Sequence, residues 1–183
     1  AYELERTVAN VGFQDHLPAA FGGLHVYKFD PATGRVSQFS APEHLVESIE
    51  RYGLLLYTGR TRQAAKVLPE WAKQVELLHR IHELARAVAR DLHNLSLAGL
   101  VQHLNETWQI KLQVPGVCDD ELLTQYQVAL MQGAWAGKLL GAGAGGCWFF
   151  LVPPERRRRV IETMAMAEIP FRISKKGVQS CEC

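Results

Sequence analysis

The stretch GKLLGAGAGGCWFFLV, residues 137–152, sets five glycines within ten residues and then runs into a dense apolar segment. Glycine costs about 0.5–1 kcal/mol against alanine inside a regular element, so bare backbone at this density answers a local need. One or two glycines suffice for a turn. Two readings stand. The stretch is a tight connection that turns a helix into a central strand, or it is main chain that must approach phosphates, or a phosphate-gripping segment, closely. Gly141, Gly143 and Gly146 also match G-x-G-x-x-G. A dinucleotide fingerprint needs a strand before the glycines and a helix after them. Here the glycines lead into a strand, CWFFLV, and that reading is set aside.

Working outward, residues 146–153 form the best strand in the chain, and PERRRRVIETMAMA after it is a helix with Pro154 in its first turn. Residues 169–174 (IPFRIS) are expected as a closing strand, and VQSCEC as a possible further one. Upstream, GLLLYTG at 53–59 is a short apolar run between glycines, hence a buried strand. Leu77, Leu78, Ile81, Leu84, Ala85 and Val88 recur at three and four, the spacing of a helix, and Pro69 breaks or restarts the helical pattern. Further helices are expected over about 96–110, capped by Ser96, and over about 119–132, capped by Asp119 or Asp120. Residues 42–51 read as a short helix. Residues 24–30 and 35–40, joined by a Pro-Ala-Thr-Gly turn, read as a β-hairpin. Residues 10–23 read as a loop, and 2–9 as the tail of a helix. The fold class is α+β: a ferredoxin-like split βαβ sheet with helices on one face, plus an N-terminal β-hairpin.

Composition bounds the rest. The chain has 183 residues, 48% hydrophobic and 21% charged, with net charge +1 and pI near 7.9. Neither nucleic acid nor an acidic membrane is expected as a partner. No segment approaches the about 20 apolar residues of a membrane span, and the opening AYELERTVAN lacks a signal sequence's apolar core. The expected location is cytoplasmic. Cys118, Cys147, Cys181 and Cys183 form no CxxC pair and suggest no disulfide framework. Cys181 and Cys183 make half a metal site at most, and His79 and His82 lack a third ligand; no metal site is assigned. The RRRR run at 156–159 distributes around a helix and reads as a solvated face with i,i+4 pairs, Glu155 to Arg159 and Arg158 to Glu162.

GKLLGAGAGGCWFFLVPPERRRRVIETM resembles the third signature motif of the GHMP small-molecule kinases. VGFQDHLPAAFGGLHVYKF, GLLLYTGRTRQAAKVL and LNETWQIKLQVPGVCDDEL resemble, in order, segments of the L-fucose and heptose-phosphate kinase branch. Nearly the whole chain is covered. The resemblance implies the C-terminal part of an ATP-dependent sugar kinase of fucose or heptose-phosphate type. Such an enzyme transfers the γ-phosphoryl of ATP, with Mg, to a hydroxyl of a sugar or sugar phosphate. It implies Asp15 as the base near the attacking hydroxyl, and Gln14, His16, Thr58, Gly59 and Arg62 on the sugar side. It implies Gly141, Gly143, Gly145 and Gly146 as the nucleotide-phosphate loop. The family's usual residue after the aspartate is Gln, where this chain has His16. Ala144 stands where many members carry glycine and is expected to need a negative φ.

The family's earlier phosphate loop, roughly P-x-x-x-G-L-G-S-S, is not found in these residues. Together with the non-Met start, this leads to an expectation that the chain is part of a longer kinase. The expected division is residues 1–41, a remnant of the N-terminal kinase domain, and 42–183, the C-terminal domain. The isolated chain is expected to be inactive, with a possible homo-oligomer through residues 1–41. The alternative is a non-catalytic binding or oligomerisation module that keeps the kinase fold.

Overall fold

A computed structural model describes residues 16–30, 32–61 and 67–179. Its centre is a four-stranded antiparallel sheet of β3 (Gly53–Tyr57), β4 (Ala136–Leu139), β5 (Cys147–Leu151) and β6 (Ala167–Glu168), in the order β4-β5-β3-β6. β5 lies between β3 and β4 and is antiparallel to both, which gives the split βαβ arrangement. The period of two along each strand decides which residues face the core. Leu54 pairs with Phe150 and Leu56 with Trp148, and all four are fully buried. Leu55 pairs with Phe149 on the opposite face, where Phe171 meets Phe149 edge-on. Gly137 pairs with Phe150, and a side chain there would run into the Phe150 ring.

The helices cover the Leu54–Trp148 face. They are α3 (Leu68–Ala72), α4 (Val75–Arg90), α5 (Leu97–Lys111), α6 (Asp120–Met131) and α7 (Pro154–Met164), and before them come α1 (His16–Phe21) and α2 (Glu43–Tyr52), whose Leu45 packs in a separate small cluster. Pro69 sits in the first turn of α3, so it starts a helix rather than ending one. The Ser96 side chain accepts from Gly99 N at 3.2 Å and the Asp119 side chain from Leu122 N at 2.9 Å, which caps α5 and α6. The core is aromatic: Trp108 meets Trp148 edge-on at 5.1 Å, and Trp148 stacks on Phe150 at 5.4 Å. Trp148 Nε1 donates to Gln125 Oε1 at 2.9 Å, which satisfies the one polar atom its burial would strand. The arginine run splays as its helical spacing requires. Arg157 donates to Gly53 O and Glu168, Arg158 to Glu162, and Arg159 to Gln132 in place of Glu155.

β1 (His25–Phe29) and β2 (Val36–Ser40) pair as a separate two-stranded sheet. Val26 and Ala41 rest on a small cluster of Leu45, Leu92 and Leu95, while all five residues of β2 are exposed.

Four further expectations change. Within residues 10–23, the described part contains the short helix α1 rather than loop alone. The closing strand is Ala167–Glu168, not 169–174: Ile169 N still reaches Leu55 O, but Pro170 has no N–H with which to extend the ladder. No strand occurs at 178–179, and residues 180–183 lie outside the described set. Finally, the glycines connect strand to strand. β4 precedes them, so the connection is an antiparallel one between β4 and β5 rather than a turn from helix to strand.

Candidate functional site

The glycine loop is built against two other segments. At the end of β3, Thr58 N donates to Gly146 O at 2.9 Å and Thr58 Oγ1 donates to the same oxygen at 2.8 Å. Gly146 N donates back to Arg60 O at 2.9 Å, and Arg60 N reaches Thr58 Oγ1 at 3.2 Å. Thr58, a buried polar residue, is thereby the strut between the two central strand ends. The backbone comes too close for side chains at two loop positions. A Cβ on Gly143 would lie 2.7 Å from Val117 Cγ1, and one on Gly145 would lie 2.9 Å from Arg60 O. Both also have positive φ, +115° and +150°, where glycine is at little disadvantage.

Ala144 lies between them with φ +62°, contrary to the negative φ expected of it. Its N–H donates to Val117 O at 2.6 Å and its side chain packs on the core, so the contacts on either side hold it left-handed. The loop's carbonyls are also pinned. Lys111 Nζ donates to Leu139 O at 2.6 Å and to Gly141 O, and Trp71 Nε1 donates to Ala142 O at 3.0 Å.

Beside the loop, Arg60 ties the end of β3 to the start of α6, at 2.7 Å from Asp119 and 3.5 Å from Glu121. The Arg60 hydrogen bond, aided by the Leu122 amide, holds the Asp119 carboxyl below its ordinary range, and the same bond raises Arg60. Burial, then the Asp119 charge, pushes the Cys118 thiol up to about 11.

Of the expected residues, the structure joins Thr58 to Gly146 by the bonds above and packs the Gly145 backbone against Arg60, while Gly59 follows Thr58 in the chain and bonds to none of the loop glycines. Gly141 is at the exposed entrance of the loop, and Gly59 is also exposed with φ +74°. His16 begins α1, whose neighbour is the 174–178 segment: Gly23 N meets Ser174 O and Val178 N meets Ala19 O. Gln14, Asp15 and Arg62 lie outside the described residues. Cavities of about 490 Å³, between α6 and the end of α7, and about 350 Å³, around Arg157 and Phe171, are not lined by the glycine loop. Trp108 is fully buried core. Among the described residues no three of His, Cys, Asp and Glu cluster to hold a metal, and no helix is long and apolar enough to cross a membrane.

Sequence reasoning missed Arg60, Trp71 and the support from Lys111. Lys111 carried a signal, a cation set among the apolar Trp108, Ile110 and Leu112. Trp71 and Arg60 carried none, since their partners are backbone or acid groups tens of residues away.

The same fold recurs in solved structures. A Campylobacter jejuni protein solved at 2.4 Å superposes with TM-score 0.73 at 30% identity, over 97% of this chain and 54% of that one. A D-glycero-D-manno-heptose 1-phosphate kinase from Bacteroides thetaiotaomicron shares the fold with TM-score 0.69 at 23% identity, over 96% of this chain and 51% of that one. Residues 76–167 match the C-terminal region of the GHMP kinases, and the chain belongs to that family. In sequence it is 30% identical over 193 aligned positions to the D-glycero-alpha-D-manno-heptose 7-phosphate kinase of Campylobacter jejuni, covering 98% of this chain and 57% of that enzyme. The chain thus spans little more than half the length of the relatives it matches.

Proposed function

We propose that this chain is the C-terminal part of an ATP-dependent sugar kinase of the fucose or heptose-phosphate type. The enzyme moves the γ-phosphoryl of ATP to a hydroxyl of a sugar or sugar phosphate. The observation that carries the reading is the match to a heptose 7-phosphate kinase along almost the whole of this chain. Phosphoryl transfer asks a protein mainly for positioning and charge stabilisation. The glycine loop suits positioning, since Lys111, Trp71 and Thr58 fix its shape. The amides of Ala142 and Gly143 meet no acceptor among the described residues, as a site for phosphate oxygens requires. Thr58, Gly59, Arg62, Gln14 and His16 form the sugar side, and Asp15 takes the proton of the attacking hydroxyl as the new bond to phosphorus forms. ATP and Mg are the cofactors, and the part of the kinase outside this chain supplies the metal's ligands. Residues 1–41 belong with the N-terminal kinase domain and 42–183 form the C-terminal domain.

On this reading the isolated chain does not turn over. The test is ADP release with L-fucose or a heptose phosphate, measured on this chain and on the longest reading frame that contains it. The frame is expected to be active and the chain inert. Asp15→Asn in the frame is expected to cost about 100-fold or more, as loss of a general base does; a variant at full rate removes Asp15 from the chemistry.

A further inference from the structure

We propose that Lys111 is a positioning residue that sets the phosphate affinity of the glycine loop by holding its peptide planes. The inference rests on the reading of that loop as a phosphate site. Lys111 closes α5 and is 5% exposed, and its ammonium grips main-chain oxygens: Leu139 O at 2.6 Å and Gly141 O at the loop entrance. In a trans peptide the C=O of one residue and the N–H of the next point in opposite directions, and all described peptides are trans. Drawing Gly141 O inward to Lys111 therefore turns the Ala142 N–H outward. Trp71 fixes the next peptide plane: its Nε1 holds Ala142 O, and the Gly143 N–H points away from the indole, with Gly143 itself buried beside Val117. Two successive amides are thus aimed by two side chains that hold the carbonyls behind them. The buried ammonium also polarises the peptide it grips, which makes the outward amide a stronger donor.

A cation near a phosphate site strengthens binding by charge alone, so the test must separate tether from charge. Lys138 provides the control. It lies three residues before Gly141 on the opposite sheet face, beside Phe149, and bonds to no loop atom among the described residues.

The experiment is a titration of this chain with inorganic tripolyphosphate, followed at the Ala142 and Gly143 amide resonances. The wild type is expected to shift saturably at both. Lys111→Met is expected to weaken the apparent affinity at least tenfold while thermal unfolding remains cooperative. Trp71→Phe, which changes no charge, is expected to weaken it in the same direction, and Lys138→Met to leave it within twofold. A Lys111→Met affinity within twofold of wild type overturns the proposal, as does an equal loss in Lys138→Met. If Lys111→Met does not fold, Trp71→Phe decides: affinity within twofold overturns the tether. A wild type whose two amides ignore tripolyphosphate overturns the phosphate reading beneath it, a result distinct from a variant that binds as well as the wild type.

Discussion

The hydroxyl of Thr58 donates to the carbonyl oxygen of Gly146, 2.8 Å away and 88 residues distant in sequence. The same hydroxyl accepts from Arg60 N, so one buried oxygen ties the end of β3 to the glycine loop and shapes its own turn. Thr58→Val keeps the shape and removes both bonds. It is expected to destabilise the chain by about 1–2 kcal/mol, the cost of stranding a buried polar group, and Thr58→Ser to restore most of that. Chemical denaturation of the three proteins checks the order.

Ala144 offers a gain. Its left-handed backbone costs about 1–2 kcal/mol, against about 0.5–1 kcal/mol of chain entropy that a glycine would add. Part of a buried methyl is lost as well, under about 0.8 kcal/mol. Strain is the largest of these, and Ala144→Gly is expected to be neutral to stabilising by about 0.5 kcal/mol, with an unchanged denaturant slope. A loss of stability would mean that the contact of the Ala144 side chain with the core outweighs the strain.

Gly143 predicts the opposite sign. Any side chain there meets Val117 Cγ1 at 2.7 Å and Val117 backbone at 2.9 Å, at φ +115°. Backbone cannot swing aside as a flexible side chain does, so strain of about 1–3 kcal/mol adds to the overlap. Gly143→Ala is expected to lower the melting temperature clearly, whereas Gly59→Ala, with open space around it, carries the conformational cost alone.

Acid should loosen the β3–α6 corner. Asp119 has its carboxyl pKa lowered in the fold, first by Arg60 and then by the Leu122 amide. A depressed folded value means that the stabilisation is present above the unfolded value of 3.8 and is lost as pH falls through the lower folded value. Asp119→Asn keeps a cap but no charge. Its stability deficit against wild type should be constant near neutrality and vanish at the acid end, as pH-dependent melts would show.

The same corner protects a thiol. With its pKa pushed up to about 11, Cys118 stays protonated near neutrality. Alkylation at Cys118 should be slow at pH 8 and faster in Asp119→Asn, where the neighbouring negative charge is gone.

Where local rules and packing agreed, the sequence was readable. The buried strand read from the apolar run at 53–59, the Ser96 cap, the Asp119 member of the Asp119-or-Asp120 cap and the pairing of the hairpin strands each appear as expected. β4 was hidden because Ala-Gly-Lys-Leu has no β-branched residue, and its glycine is there to admit the Phe150 ring, a contact with no local signature. The strand drawn at 169–174 had the right composition but includes Pro170, which ends the pairing. The density of glycine pointed to close backbone approach, which Gly143 and Gly145 show against Val117 and Arg60. It could not reveal that lysine and tryptophan side chains from two other helices hold the loop, because those meetings are made by topology.

The most direct test of the kinase reading is ³¹P NMR of the longest reading frame containing this chain, supplied with ATP, Mg and either L-fucose or a heptose 7-phosphate. The predicted result is a new sugar-bound phosphate resonance growing in step with ADP. ATP left intact, or hydrolysed with no phosphate appearing on either sugar, would contradict it.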